Sequence, residues 1–324
     1  MNRREWMALT ASAAFAPVAW PRAAGAQRRA KIPRVGIIDD APVWNSFRQA
    51  LREAGYVDGQ TIAFEYRVAD GKPEGLAAAA AELARLPVDV IAVYGTPAGR
   101  AAKAATTTVP IVAISVGDPV RAGLVQNLAH PGGNVTGNTI LGADLSPKRL
   151  QLLKEMIPAL SRVAFLWNPD NESNVVMRDE LRAAAPGLGL DLITAEARGP
   201  GDFAPAFQTI LNGRADAVLT TNDFVHQRNI GLILEFTTRN RLPGMFQTRD
   251  NVVAGGLLSY GASFAELFRH GALYVQKILQ GTKPEDLPVR QPERFELIIN
   301  LKTAKAFGLK IAESFLLRAD EVIE

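Results

Sequence analysis

The stretch VDVIAVYGTP, from Val88 to Pro97, decides how the chain is expected to fold. Its apolar, β-branched run up to Tyr94 is typical of a strand that is buried on both faces of a sheet. Thr96 then takes the N-cap position of a following helix, and Pro97 takes the favoured first helical position. The stretch therefore predicts a parallel strand that leads directly into a helix.

The same order of strand and helix occurs twice along the 324 residues. Three pairs of segments resemble each other at an offset of about 130 residues: VDVIAVYGTP at Val88 and ADAVLTTNDF at Ala215, IPRVGIIDDAP at Ile32 and LSRVAFLWNPD at Leu160, VPIVAISVGDP at Val109 and RLPGMFQTRDN at Arg241. One repeat of that size indicates two similar lobes, because the repeats of a solenoid are far shorter. We predict an α/β fold of two doubly wound parallel-sheet lobes.

The stretch GDPVRAGLVQNLAHPGGNVTG, from Gly117 to Gly137, lies between the two copies. It predicts a short helix, a tight Pro-Gly-Gly-Asn turn and a strand from Val135 to Ile140 that leaves the first lobe. A phosphate-binding loop is the alternative, but the GxxxxGK[ST] and GxGxxG spacings of such loops do not occur in the chain. We interpret the stretch as a joint.

The last third of the chain predicts two further crossings between the lobes. A long helix from about Phe264 to Gln280 would return to the first lobe, and the Pro-rich connector KPEDLPVRQP would lead back to the second. We expect lobe one to comprise 32–137 and 260–284, and lobe two to comprise 138–259 and 285–324. Three crossings would form a hinge and not a loose linker.

The N-terminus has the three parts of a cleaved signal peptide over residues 1–26. Arg3 and Arg4 give a positive start, an apolar run extends from Met7 to Trp20, and the segment from Ala24 to Ala26 is a small-residue cleavage site. The paired arginines resemble a twin-arginine signal, with the general secretory route as the rival and an ordinary N-terminal helix as the remaining alternative. We predict a periplasmic protein.

The composition and the net charge of the chain argue against a nucleic-acid-binding protein. The chain has 48% hydrophobic and 21% charged residues, which is typical of a soluble globular protein. Removal of Arg3, Arg4, Arg22 and Glu5 with the leader leaves 33 Lys and Arg against 32 Asp and Glu, a net charge of +1. A nearly neutral protein gives no electrostatic reason to expect a nucleic-acid partner.

Motifs for catalysis and for cofactors are missing from the sequence. The chain has no cysteine and three well-spaced histidines, and no GxSxG, HExxH or CxxC motif occurs. We therefore expect no enzyme activity, no catalytic residue, no metal and no cofactor. We also expect a monomer, because two lobes form a site without a partner chain.

Several longer segments resemble the periplasmic substrate-binding proteins of ABC transporters, in the subgroup that includes tryptophan-binding proteins. The segments that carry this resemblance are GDPVRAGLVQNLAHPGGNVTG, GGLLSYG at Gly255, KPEDLPV at Lys283, INLKTAKAFGL at Ile299 and RADEVIE at Arg318. The resemblance implies the type I fold, with three crossovers, a ligand in the cleft and closure by hinge bending.

The resemblance also implies partners and a role. It implies delivery of a small-molecule ligand, such as an amino acid or a related carboxylate, to a membrane permease with its ATPase, so that the membrane is reached only through the permease. A periplasmic sensor that presents its closed form to a signalling receptor is the alternative. The resemblance does not identify the ligand, because one fold binds many molecules.

Ligands of open α/β sheets lie beyond the carboxyl ends of the strands, and two such ends that face each other form a cleft. The candidate ligand-binding residues at these ends and beside them are Asp39, Trp44, Tyr94, Gly95, Thr96, Ser115, Gly117, Asn168, Asn222, Asp223, Phe246 and Gln247.

These candidates suit different parts of a ligand. The helix start at Thr96 would favour a carboxylate, and Asp223 or Asp39 would pair with an ammonium group. The aromatic candidates offer apolar faces for a ring or an acyl chain. Each has an ordinary structural alternative: a helix cap for Thr96 and the aspartates, a turn for Ser115 and Gly117, and core packing for the aromatic residues.

Overall fold

The structure is a computed structural model that describes residues 32–39, 41–69 and 72–324. The predicted signal peptide over residues 1–26 lies outside the described residues. Among the described residues, none of the helices has the length and apolar character needed to cross a membrane.

The first sheet has five parallel strands in the order β2-β1-β3-β4-β5. Its strands are β1 (Arg34–Ile38), β2 (Ala63–Arg67), β3 (Val90–Tyr94), β4 (Ile111–Val116) and β5 (Val135–Thr139). The helices between them are α1 (Asn45–Glu53), α2 (Pro73–Arg85) and α3 (Gly95–Ala105). We call the part of the chain built on this sheet the first lobe.

The second sheet has seven strands in the order β12-β11-β10-β9-β8-β6-β7. Its strands are β6 (Arg162–Trp167), β7 (Asp191–Glu196), β8 (Ala217–Thr220), β9 (Gly244–Phe246), β10 (Leu258–Ala262), β11 (Phe295–Asn300) and β12 (Glu321–Ile323). The remaining helices are α4 (Ser146–Met156), α5 (Glu172–Ala184), α6 (Phe203–Asn212), α7 (Phe224–Arg228), α8 (Ile230–Arg239), α9 (Arg249–Val253), α10 (Phe264–Leu279), α11 (Leu301–Phe307) and α12 (Glu313–Leu316). We call the part built on the second sheet the second lobe.

The predicted two-lobed α/β architecture is confirmed, with one difference in strand direction. Strands β10 and β11 are antiparallel, so the second sheet is mixed. The chain leaves the second lobe at the end of β10, and it enters the second lobe again, from the first lobe, at the start of β11. The end of β10 and the start of β11 therefore lie at the same edge of the sheet, and the two neighbouring strands run in opposite directions.

Helix α10 packs on the first lobe, against α1 and strand β4. Its Phe264 and Phe268 join the buried cluster of Trp44 and Phe47. The predicted lobe bounds remain a prediction, and three details differ along them. Strand β5 continues to Thr139 within the first sheet, past the 137/138 boundary. Strand β10 continues to Ala262 within the second sheet, past the 259/260 boundary, and Leu287 packs with the first-lobe cluster.

The interpretation of the stretch from Gly117 to Gly137 as a joint between the lobes is wrong, because it connects β4 to β5 within the first sheet, and the chain leaves that sheet only after β5. The short helix expected within it is not formed. Residues 119–123 form turns instead, since the Asp118 carboxylate caps the first turn through the N–H groups of Val120 and Arg121, and Gly123, with a φ of 66°, ends it. Gly137 has a φ of 145°, and a Cβ there would lie 1.8 Å from the carbonyl oxygen of Ala113. Strand β5 can therefore approach β4 only with glycine at this position.

Candidate functional site

One cavity of about 370 Å³ lies where the carboxyl ends of strands from both lobes face each other. Nine of the twelve candidate residues line it: Tyr94, Gly95, Thr96, Ser115, Gly117, Asn168, Asn222, Asp223 and Gln247. The volume is within the range of sites for small molecules. The rule that ligands lie beyond the carboxyl ends of the strands, which we call the strand-end rule, thus selects residues from both halves of the sequence that line one cavity.

Three of the candidates lie elsewhere. Trp44 is fully buried in the first-lobe core, edge-on to Phe47 and Phe268. Phe246 is fully buried in the core of the second lobe, because successive strand residues point to opposite faces and its neighbour Gln247 takes the cavity side. Asp39 pairs with Arg228 of the second lobe, outside the cavity lining.

Thr96 lines the cavity and makes a hydrogen bond from the first lobe to the second. The expectation that it caps a helix is wrong, because α3 already begins at Gly95, whose φ is 80°, and Thr96 lies in the first turn. Its hydroxyl accepts a hydrogen bond from the Gly117 N–H at 3.1 Å and lies 2.8 Å from the hydroxyl of Ser173. Ser173 belongs to α5 in the second lobe, so this hydroxyl pair spans the cleft.

Asp223 is both a helix cap and a cavity residue. One carboxylate oxygen accepts from the His226 N–H at 3.0 Å, at the start of α7, and the other accepts from the Asn174 amide at 2.7 Å. Asp223 is 6% exposed, and none of the ion pairs among the described residues includes it. Its charge therefore meets only neutral donors in this structure.

Burial also shifts the pKa of two groups near Asp223, the Tyr94 hydroxyl and the His226 imidazole. Burial raises the pKa of the Tyr94 hydroxyl well above its ordinary value, and the charge of Asp223 adds to the rise. That neutral hydroxyl donates to the Asn222 carbonyl across the cleft. Burial also lowers the pKa of His226, so that its imidazole is neutral beside the cavity.

Three buried polar atoms of the cavity lining have no hydrogen-bond partner in the described part of the chain. They are the hydroxyl oxygen of Ser115, the amide nitrogen of Asn222 and one carboxylate oxygen of Glu172. Ser115 is held with a φ of 57°, and its backbone N–H donates to the Asn138 side chain at 2.8 Å. A polar ligand can supply the partners that these atoms lack.

The first turns of α5 and α7 add residues that the strand-end rule missed. The additional lining residues include Ser173, Asn174, Val175 and Met177 of α5, Phe224 of α7, and Arg121 of the β4–β5 connection. The sequence signal for the residues of α5 is the helix start after Asn171, an Asx N-cap whose side chain accepts from the Ser173 N–H at 3.1 Å. Among the residues that the structure describes, no group of three or more His, Cys, Asp or Glu is placed to hold a metal ion.

The chain thus folds into two α/β lobes with a cavity between them. The family model described as "ABC transporter substrate binding protein" matches residues 42–323, and the chain belongs to that family. The resemblance inferred from the sequence is thereby confirmed. Proteins of this family bind substrates and do not transform them.

Relatives and solved structures cover most of the chain. A tyrosine-binding protein of Clostridioides difficile (strain R20291) is 27% identical over 266 residues, which are 82% of this chain and 76% of the relative. A conserved domain protein from Vibrio cholerae is 28% identical, with a TM-score of 0.82 over 90% of this chain and 100% of that one. An ABC domain from Streptococcus pneumonia in complex with L-Trp is 24% identical, with a TM-score of 0.81 over 90% and 99%.

Proposed function

We propose that this protein captures an amino acid with an apolar or aromatic side chain, or a related carboxylate, and delivers it to an ABC permease. The observation that carries the proposal is the cavity between the lobes, which both lobes line with polar groups and with apolar side chains. The names of two similar proteins, one tyrosine-binding and one in complex with L-Trp, support the same ligand class.

The charges of the lining favour a ligand that has an ammonium group. Four acidic residues, Asp118, Asp144, Glu172 and Asp223, line the cavity with one cation, Arg121. A carboxylate can accept more bonds than the two neutral donors that Asp223 receives. A ligand ammonium would add a charge-assisted hydrogen bond, which is stronger than a neutral one.

The remaining groups suit the rest of an amino acid. The unpaired hydroxyl of Ser115 and the unpaired amide of Asn222 can both donate to a ligand carboxylate. Val175, Met177 and Phe224 give the cavity apolar wall area for a side chain. Binding to both lobes would favour the closed form in proportion to the ligand's differential affinity for it.

The cellular role follows from the family and the leader. We infer that residues 1–26 direct export, by the twin-arginine or the secretory route, and that the mature chain works outside the cytoplasm as a monomer. The ligand-bound form would then engage a permease and its ATPase. A sensor that presents the same closed form to a signalling receptor would use the same cavity, and only the downstream protein would differ.

The first test is thermal unfolding of the chain from residue 27 with L-tyrosine, L-tryptophan, L-phenylalanine and L-leucine, each beside its amine-free analogue. A ligand at 100 times its Kd adds about 2.7 kcal/mol to the free energy of unfolding. We expect stabilisation by at least one amino acid and little by its analogue. Stabilisation by none of them would contradict the proposed ligand class.

Asp223→Asn then tests the ammonium contact by calorimetry. The variant keeps an oxygen for the cap of α7 but removes the charge, so affinity for the amino acid should fall about 10- to 100-fold while affinity for the analogue is unchanged. The matched control is Asp202→Asn. Asp202 also accepts backbone N–H groups, from Arg198 and Gly199, but it is not in the lining. Equal losses in both variants would refute the assignment of Asp223.

A further inference from the structure

An ion pair joins the two lobes outside the cavity. Asp39 follows β1 in the first lobe and Arg228 ends α7 in the second, and their side chains meet at 2.7 Å. The Asp39 side chain is 5% exposed and that of Arg228 is 44% exposed. Neither residue lines the cavity, so neither is placed to touch its ligand.

Both partners are held in position for this contact. Asp39 has a φ of 80°, a left-handed conformation that a non-glycine residue adopts at a cost. Its N–H donates to the Arg67 carbonyl at 2.8 Å, which fixes the carboxylate at the strand end. The Arg228 guanidinium lies 5.4 Å from the ring centre of Phe224, one turn earlier on α7. Two elements from different lobes thus present complementary charges to each other.

We propose that the Asp39–Arg228 pair is a latch that sets how often the protein closes without a ligand. The pair forms only when the lobes meet, so it favours the closed form. A partly exposed ion pair changes an equilibrium by about 1.5- to fivefold. The apparent affinity for any ligand that binds the closed form is then proportional to the fraction of molecules that are closed without it. This inference does not depend on the identity of the ligand.

A second cross-lobe ion pair, between Arg100 of α3 and Glu172 of α5, is the weaker of the two. Its side chains are 59% and 41% exposed, so solvent screens the pair more than the Asp39–Arg228 pair. Glu172 also lines the cavity, so its replacement would change ligand contacts as well as closure. Asp39 and Arg228 therefore give the cleaner test of closure alone.

The test measures the distance between the lobes in ligand-free protein. The chain has no cysteine, so Ala78→Cys on α2 and Ala204→Cys on α6 give two exposed positions for spin labels without a background. Dipolar spectroscopy on the chain from residue 27, unfolded and refolded to remove bound metabolites, then reports the closed and open fractions.

The variants are Asp39→Asn, Arg228→Gln and the two together. Asparagine tolerates a positive φ, so the first change removes the charge without adding backbone strain. The matched control is Arg249→Gln, which removes an equally close ion pair, at 2.6 Å with Glu321, that lies within the second lobe.

We expect each single change to lower the closed-to-open ratio about 1.5- to fivefold, the double change to lower it no further, and the control to leave it unchanged. The latch is refuted if Asp39→Asn gives the wild-type distance distribution, if the wild type is wholly open, or if Arg249→Gln shifts the ratio as much as Arg228→Gln. Because no ligand is added, these outcomes are independent of whether the proposed ligand class is correct.

Discussion

Replacement of Gly117 by alanine is expected to weaken closure of the lobes while each lobe stays folded. A Cβ on Gly117 would lie 2.3 Å from the Ser173 hydroxyl oxygen and 2.7 Å from the Ser173 Cβ. Ser173 belongs to the second lobe, so the overlap exists only where the lobes meet. The φ of Gly117 lies outside the left-handed region, and alanine therefore adds no backbone strain in the open form.

The size of the effect follows from these distances. A rotation of the Ser173 side chain moves its hydroxyl away, but its Cβ stays with the backbone of α5. Carbon atoms pack at about 3.5–4.0 Å, so the lobes must separate by about 1 Å at this point. Overpacking of this kind costs about 1–3 kcal/mol, which corresponds to binding that is about 5- to 150-fold weaker.

Calorimetry with the amino acid that most stabilises the wild type is the assay, together with thermal unfolding of the ligand-free protein. We expect Gly117→Ala to lose affinity and to keep the wild-type melting temperature without ligand. Ser173→Gly removes both overlapping atoms, so affinity in the double variant should return to that of Ser173→Gly alone. The reasoning fails if Gly117→Ala binds as tightly as the wild type, or if Ser173→Gly does not restore binding.

Thr96→Val keeps the shape of the side chain but removes the hydroxyl that meets Ser173, so calorimetry should show about tenfold weaker binding without a change in ligand-free melting. Burial and the charge of Arg290 lower the pKa of His270 to about 4, so the unfolded chain takes up its proton first, and stability falls as the pH drops from about 6.5 to 4. Urea unfolding at pH 7 and 5 should show a smaller fall in His270→Asn than in the wild type. Arg149→Met removes the guanidinium hydrogen bonds to the carbonyls of Tyr260 and Gly142, at 2.7 and 2.8 Å, of which Gly142 keeps the Ser146 hydroxyl as a donor, and should lower the free energy of unfolding in urea by about 2–4 kcal/mol. Wild-type affinity in Thr96→Val would contradict the first expectation. A fall in stability in His270→Asn as large as that of the wild type would contradict the second, and a wild-type unfolding midpoint in Arg149→Met would contradict the third.

Most of the fold was predictable because its signals are local. The apolar run that ends at Tyr94 and the helix after it form as expected. The helix expected after Gly117 stops at one turn, since Asp118 caps its start and Gly123, with a φ of 66°, ends it. The direction of β11 has no local signal, because it depends on where the chain returns from the first lobe.

The candidate site was predictable to the extent that it depends on strand ends. The rule places nine residues in the lining, but it does not say which of two neighbours faces the cavity, so it selects Phe246 together with Gln247. It also cannot show a partner that is distant in sequence. Asp39 is one of two candidates for a ligand ammonium, and the structure pairs it with Arg228, 189 residues further along the chain.

The polar groups of the cavity divide into two sets with different consequences for binding. Thr96 and Tyr94 already have partners across the cleft, so they stabilise the closed form with any ligand. The hydroxyl of Ser115 and the amide of Asn222 have none among the described residues. A buried polar group without a partner costs about 1–3 kcal/mol, so a ligand that fills the cavity without pairing with both atoms carries this penalty, and a ligand that satisfies both atoms avoids it. A ligand that fits the apolar walls but lacks a matching carboxylate would leave the penalty in place. Selectivity for the polar end of the ligand should therefore exceed selectivity for its side chain.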